Sequence, residues 1–451
     1  MQILVINGSP RGHYSVTLQT VLYLKALHPE HEFRIFHAAN RIRTLEKDPS
    51  GLIGELKEAD LVLFSYPVYT FLAPSQLHRL IEILKESGET FPGLFATQLT
   101  TSKHFYDITA HKYLEQNIRD LGMQYIPGLS ADMDDLSKKK GQKQARDFFD
   151  HTMWVMERAG AFRTKKVSGD AGGPESVRSR KKVRLPKKPV VIVADLRPED
   201  ASLADMIHTF QSAYPGNVRF LNLRDFHFRG GCLGCLNCAA DGKCIYNDGF
   251  ETFLRDRVQT GCAIVYAFTV RDHSMGSLMK TFDDRQFCNG HRTVTMGMPV
   301  AYLISGNYRQ EENLRMVVEA RASTGGNYLA GVATNEQDAA ASVRTMTKEL
   351  IYALGHAYDP PMNFYGVGGM RIFRDLIYLM RGMMKADHKF FKEHDQYDFP
   401  QKKKGTAAAM YLVGGLLSNK KIRKKMGNKM NEGMLAPYRK VLDEVNREQE
   451  P

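Results

Sequence analysis

Cysteine and tryptophan are scarce in this chain, with six and one in 451 residues. Long apolar runs are missing as well. The longest, about Thr406 to Leu417, falls short of the roughly 20 residues that a membrane span needs. The N-terminus, MQILVINGSPRG, shows neither a charged leader nor a small-residue cleavage site. No secretory signal is therefore expected, the thiols are expected to stay reduced, and the expected compartment is the cytoplasm. There is no G-x-G-x-x-G turn, which argues against a dedicated dinucleotide fold. No Ser-His-Asp or paired-carboxylate set can be picked out, and the fifteen histidines are scattered. Catalytic side chains are thus left unassigned. Acid is missing from one stretch: residues 402–429 carry nine Lys/Arg and no Asp or Glu. Residues 163–189 carry ten against two, within a net charge of +12. Basic runs suit nucleic acid or an anionic membrane. These lack interleaved aromatics, so no nucleic-acid partner is expected.

What is present is an alternating pattern. ILVIN (3–7) is a buried strand that runs into Gly-Ser-Pro. Residues 15–28 have helical periodicity, and EFRIFHA (32–38) reads as a second strand. ADLVLFSYP (59–67) is a strand that stops at proline, QLHRLIEIL (76–84) an amphipathic helix, and GLFATQLTT (93–101) a further strand. Strands alternating with helices imply parallel pairing and a doubly wound α/β sheet. Residues 163–188 interrupt the pattern with linker chemistry. It then restarts: PVVIVADL (189–196), CAIVYAFTV (262–270), LMKTFDDR (278–285) and PVAYLISGN (299–307) match the earlier elements in order. The expected organisation is a domain at 1–162, a basic flexible linker at 163–188, a second copy of the domain at 189–358, and a basic helical extension at 359–451.

The two copies differ at informative places. Between matched positions the second is longer by the length of Gly230–Cys244, which holds Cys232, Cys235, Cys238 and Cys244. This C-x2-C-x2-C-x5-C spacing lets successive thiolates converge and suits an iron–sulfur cluster. Zinc usually takes two well separated pairs, and disulfides suit an oxidising compartment. At the first turn the order reverses. Copy one has Gly8-Ser9-Pro10-Arg11 followed by Ser15 and Thr17, where copy two has Ala194-Asp195-Leu196-Arg197. Hydroxyls, backbone amides, a helix start and a guanidinium together suit a phosphate. An aspartate there repels one. The loop Pro67-Val68-Tyr69-Thr70 leaves the same sheet edge, where backbone groups can meet a flat heterocycle and an aromatic can cover it.

These pieces resemble the NAD(P)H-dependent FMN reductase and iron–sulfur flavoprotein group of the flavodoxin-like superfamily. The resemblance is carried by INGSPRGHYSVT (6–17), ADLVLFSYPVYTFLAPSQL (59–77), GCLGCLNCAADGKCIYNDGF (231–250), TVRDHSMGSLMKTFDDR (269–285) and LISGN (303–307). It covers roughly 1–160 and 189–350. It implies two flavodoxin-like domains, with the FMN phosphate at Ser9, Pro10, Arg11, Ser15 and Thr17 and the ring near Pro67, Val68, Tyr69 and Thr70. It also implies a [4Fe–4S] cluster on Cys232, Cys235, Cys238 and Cys244, and NAD(P)H as a transient donor. Departures are visible. Phe71-Leu72 replaces a small turn, Thr97–Thr101 replaces a glycine-rich loop, and Thr269 and Arg271 stand where Pro and Tyr are usual.

The defects are complementary, so an internal pseudo-dimer with one FMN in copy one and one cluster in copy two is expected, with a further homodimer open. The activity implied is electron transfer from a nicotinamide or a ferredoxin-like protein donor to a small acceptor such as a quinone or flavin. The alternatives are a non-catalytic electron carrier and a zinc-stabilised scaffold. In the extension, Phe373, Leu376, Ile377, Met380 and Met384 share a helical face and are expected to cover copy two. TAAAMYLVGGLL (406–417), between KKK and KKIRKK, also suits weak contact with an anionic membrane surface.

Overall fold

The computed structural model describes residues 1–69, 71–160, 184–233, 235, 237–418 and 420–449. The linker expected at 163–188 therefore lies, up to residue 183, outside the described residues. The chain divides into two compact units, Met1–Ala171 with Pro400–Pro451, and Gly172–Phe399.

In the first unit, β1 (Gln2–Asn7), β2 (Glu32–Phe36), β3 (Leu61–Pro67) and β4 (Phe95–Ser102) run in the order β2-β1-β3-β4. β5 (Gln124–Tyr125) and β6 (Leu129–Asp132) both pair with the outer side of β4. Every pairing is parallel. The helices are α1 (Val16–Leu27), α2 (Ser50–Glu58), α3 (Ser75–Glu86), α4 (Asp107–Asp120) and α5 (Lys139–Arg158). The strands read as unbroken apolar runs because both faces are covered. Alternate residues go to opposite faces. Leu4, Ile6, Val62 and Phe64 pack under α2, α3 and α4. Ile3, Val5, Leu61 and Leu63 pack under α1 and α5.

In the second unit, β7 (Val190–Ala194), β8 (Val218–Asn222), β9 (Ala263–Thr269), β10 (Val300–Ser305) and β11 (Leu329–Thr334) run in the order β8-β7-β9-β10-β11, all parallel. The helices α6 (Ala201–Ala213) and α9 (Ala339–His356) lie on one face, and α7 (Gly276–Arg285) and α8 (Glu312–Thr324) on the other. Both units are thus α/β domains with the flavodoxin-like strand order 2-1-3-4-5, the doubly wound class expected.

Residues 359–451 do not form one piece. α10 (Phe364–Leu379) and α11 (Lys385–Glu393) belong to the second unit. The single helix expected across 370–385 stops at Leu379, and Met380–Met384 turn the chain with bonds back to Leu376 and Met380. Ile377 and Met384 are buried there with Phe391, whereas Leu376 is exposed. α12 (Lys404–Ser418) and α13 (Lys420–Gln449) belong to the first unit. α13 sends Leu435, Tyr438, Val441 and Val445 onto the same core as α1, and Tyr438 Oη donates to Met133 O (2.6 Å). The final helix therefore covers the first unit, not the second as expected.

Candidate functional site

The carboxyl ends of β1, β3 and β4 share one edge of the first sheet. β1 brings buried Asn7 there. Its Nδ2 donates to Gly12 O (3.0 Å) and its Oδ1 accepts from Ser9 N (3.1 Å), which pins the following turn. Gly12 has φ +55°, and a Cβ on it would meet Asn40 Oδ1 at 2.6 Å, so only glycine suits the position. A short 3-10 turn (Gly12–Tyr14) leads into α1, whose N-cap is Ser15, with Oγ accepting from Leu18 N (3.4 Å).

Ser9, Ser15 and Thr17 are all buried at this edge. Thr17 Oγ1 lies 2.6 Å from Thr101 Oγ1 and so ties the turn to β4. Pro10 contributes its carbonyl, which accepts from Asn40 Nδ2 (3.3 Å). Among the described residues, the amides of Val16 and Thr17 have no hydrogen-bond partner, and neither does buried Ser65 Oγ at the end of β3. A helix start with two free amides beside clustered hydroxyls fits a phosphate group. The guanidinium of Arg11 already has partners: it donates to Asn431 Oδ1 on α13 and lies 3.7 Å from Met434 Sδ.

The ring loop departs from expectation. Pro67 closes β3. The amide of half-buried Val68 donates to Thr101 O (3.2 Å) and that of exposed Tyr69 to Leu72 O (2.8 Å), so both amides have partners within the protein. Thr70 lies outside the described residues. An aromatic cover is present, but Phe71, Phe105 and Tyr106 build it. Their ring centroids stand 5.3, 4.8 and 5.0 Å apart. Phe71, His104 and Tyr106 all adopt positive φ (73°, 60° and 55°), a conformation uncommon for residues other than glycine. His104 is buried beside them. Its Nδ1 lies 2.9 Å from Asp107 Oδ2, which also accepts from Ser130 Oγ (2.7 Å).

The corresponding edge of the second sheet is closed by ion pairs. Arg224 Nη2 lies 2.7 Å from buried Asp195 at the end of β7. Arg271 grips Asp200 through both carboxylate oxygens (2.8 Å each), and Thr269 adds a 3.1 Å bond. Asn335 takes Gly306 N (2.8 Å) and donates to Ser305 Oγ (3.1 Å). These groups do not fit a phosphate.

Cys232, Cys235, Cys238 and Cys244 line one small cleft, together with Cys288. Cys232 and Cys235 are exposed, and Cys238 Sγ donates to Phe287 O (3.1 Å). Burial pushes the Cys238 thiol up, and the Cys288 thiol up to about 12, so both stay protonated at neutral pH. The donor set is right in kind. In this arrangement, however, no group of three or more His, Cys, Asp or Glu among the described residues converges to hold a metal ion.

Residues 1–151 match the family model described as flavodoxin-like fold. An iron-sulfur flavoprotein of Clostridioides difficile (strain 630) is 21% identical over 140 residues, covering 29% of this chain and 62% of that relative. The chain thus spans less than two thirds of the relative's length. Among solved structures, general stress protein 14 of Treponema denticola in complex with FMN is 12% identical, with a TM-score of 0.27, covering 34% of this chain and 98% of that one. An NAD(P)H:quinone oxidoreductase of Methanothermobacter marburgensis is 12% identical, with a TM-score of 0.26, covering 38% and 98%.

Sequence reasoning missed several residues at the first edge. Asn7 and Thr101 stood inside quoted motifs as strand residues. Phe105 and Tyr106 carried a weak signal, two adjacent aromatics just past a strand. Asn431, 420 positions from Arg11, carried none.

Proposed function

We propose that the first unit holds FMN at the carboxyl edge of its sheet and that the chain is an FMN-dependent oxidoreductase drawing electrons from NAD(P)H. One observation carries this reading: the free amides of Val16 and Thr17 beside the buried hydroxyls of Ser9, Ser15 and Thr17. The match of residues 1–151 to a flavodoxin-like family supports it. When bound, FMN supplies hydride and single-electron chemistry. Arg11 would neutralise phosphate charge once released from Asn431. Phe71, Phe105 and Tyr106 would keep water from the ring. His104, held at Nδ1 by Asp107, is the group here able to carry a proton at Nε2. The acceptor is a small molecule of the quinone or flavin class. Anaerobic purification with a visible spectrum, followed by NADH and NADPH addition, tests the reading. A flavin band bleached by either nucleotide supports it. A colourless protein that retains no added FMN removes it.

A cluster on the four loop cysteines is a second reading, favoured because all four line one cleft and because the curated relative is named an iron-sulfur flavoprotein. It needs Cys238 to leave Phe287 O. Iron, sulfide and zinc analysis of anaerobic protein distinguishes a cluster from a zinc scaffold and from free thiols.

We also propose that α12 rests on an anionic lipid surface. No helix of the described residues is long and apolar enough to cross a membrane. Met410, Tyr411 and Leu412 are nevertheless 60, 85 and 70% exposed, between lysine runs at 402–404 and 420–425. The charge of those runs selects anionic lipid.

A further inference from the structure

The second unit contains a cavity of about 320 Å³ on the face of its sheet, between α7 and α8. That volume is in the range of small-molecule sites. Its wall runs from Val300, the first residue of β10, to Phe268 near the end of β9, so it lies along the sheet face. Tyr266 and Tyr302 line it, with ring centroids 5.2 Å apart. Tyr302 is only 6% exposed. Neither hydroxyl has a hydrogen-bond partner among the described residues. Neither oxygen is among the buried side-chain atoms left without a partner, so both hydroxyls open to the cavity, where a bound acceptor can pair with them.

The first unit shows what this position looks like when protein fills it. Strand register places Gln98 of β4 where β10 has Tyr302, and Tyr66 of β3 where β9 has Phe268. There Tyr66 Oη donates to Gln98 Oε1 (2.6 Å), and Gln98 Nε2 donates to Tyr125 Oη (2.6 Å) and His111 O (3.0 Å). Every polar group in that network is satisfied internally. In the second unit Phe268 has no hydroxyl to offer, and the Tyr302 hydroxyl that stands in place of Gln98 faces a cavity, as does that of Tyr266, the register partner of Tyr302.

The cavity's charged side chains have partners: Arg292 donates to Cys288 O (3.0 Å) and stands 3.9 Å from Asp387. Arg321 pairs with Asp283, and Lys280 with Asp284. Burial holds the Tyr266 hydroxyl up at about 12 and pushes that of Tyr302 higher still, so both remain neutral donors. The remaining walls include Phe268, Phe282 and Phe287. We infer that this cavity is a binding site for a flat, uncharged aromatic molecule bearing a carbonyl oxygen that accepts hydrogen bonds from the hydroxyls of Tyr266 and Tyr302. Phe287 lines both this cavity and the cysteine cleft, so such a ligand would sit one side chain from the thiols. The inference is independent of FMN in the first unit.

Titration of the full-length protein with 1-indanone, and with indane as the same shape lacking the carbonyl, tests it. Tyr302→Phe and Tyr266→Phe each remove only an oxygen. Each is expected to weaken 1-indanone about fivefold, the worth of one net hydrogen bond, while leaving indane and the melting temperature unchanged. Arg11→Ala is expected to leave both probes unaffected. No binding of 1-indanone to the unaltered protein, an affinity in both tyrosine variants equal to that of the unaltered protein, tighter binding of benzoate than of 1-indanone, or loss of 1-indanone in Arg11→Ala would each overturn the inference.

Discussion

Arg285 grips Asp248 through both guanidinium nitrogens, at 2.8 and 2.9 Å, with both side chains almost fully buried. The same guanidinium donates to Gly230 O (2.9 Å) and lies over the rings of Tyr246 and Phe250. One side chain of α7 therefore anchors both ends of the cysteine loop. Arg285→Ala would leave a buried carboxylate alone, at a cost of about 3–5 kcal/mol. Thermal melting should show the second unit unfolding first in this variant. A melting curve like that of the unaltered protein would mean the loop is held by other contacts.

The same pair sets an acid limit. Burial pulls the Asp248 carboxyl up, but Arg285 and the amides of Arg229 and Phe250 outweigh it and hold the carboxyl below its ordinary range. A depressed folded value contributes stability above the unfolded value, near 4, that is lost as pH falls through the folded one. Asp248→Asn should thus lower the melting temperature strongly at pH 7, and the gap to the unaltered protein should narrow below pH 4. A gap independent of pH would contradict this.

Asp387 gives the opposite sign. It is buried, its Oδ2 has no hydrogen-bond partner among the described residues, and Arg292 stands 3.9 Å away. Burial raises its carboxyl, against the opposing pull of His291 N and Arg292. Its contribution is therefore fully present below the unfolded value and falls as pH rises through the folded one. Asp387→Asn, which keeps an acceptor for His291 N (3.0 Å), should raise the melting temperature at pH 7 and give no gain at pH 4.

The strands and first turns were legible because a parallel sheet covered on both faces needs unbroken apolar runs that end in turn residues. ILVIN and PVVIVADL carry that signal without help from distant parts of the chain. The seat of the last helix was not legible. Leu435, Tyr438, Val441 and Val445 are spaced along a charged stretch, and nothing local says which core they enter. Cys288 joins the cleft from 44 positions beyond Cys244, a matter of tertiary packing. The Tyr69–Leu72 bridge was not legible either, and it consumes an amide that sequence alone leaves free.

The α12 proposal is checked by co-sedimentation. Phosphatidylserine vesicles should carry the protein down at low salt, and phosphatidylcholine vesicles should not. Tyr411→Asp with Leu412→Asp should abolish the effect without changing the melting temperature. Equal sedimentation with both lipids, or none with either, would contradict it.

Arg11 is shared between two demands. Asn431 accepts from its guanidinium, and a phosphate at the turn would want the same donor. Asn431→Ala should tighten FMN binding about fivefold by releasing one hydrogen bond, and Arg11→Ala should weaken it by roughly tenfold or more. Fluorescence quenching of added FMN measures both.

The most direct measurement is the number of flavins per chain, by FMN release and quantification from protein reconstituted with excess FMN. One FMN per chain in the unaltered protein, falling sharply in Arg11→Ala, is the expected result. Two per chain, or one that Arg11→Ala and a Thr17→Val variant leave untouched, would contradict a site at the first turn.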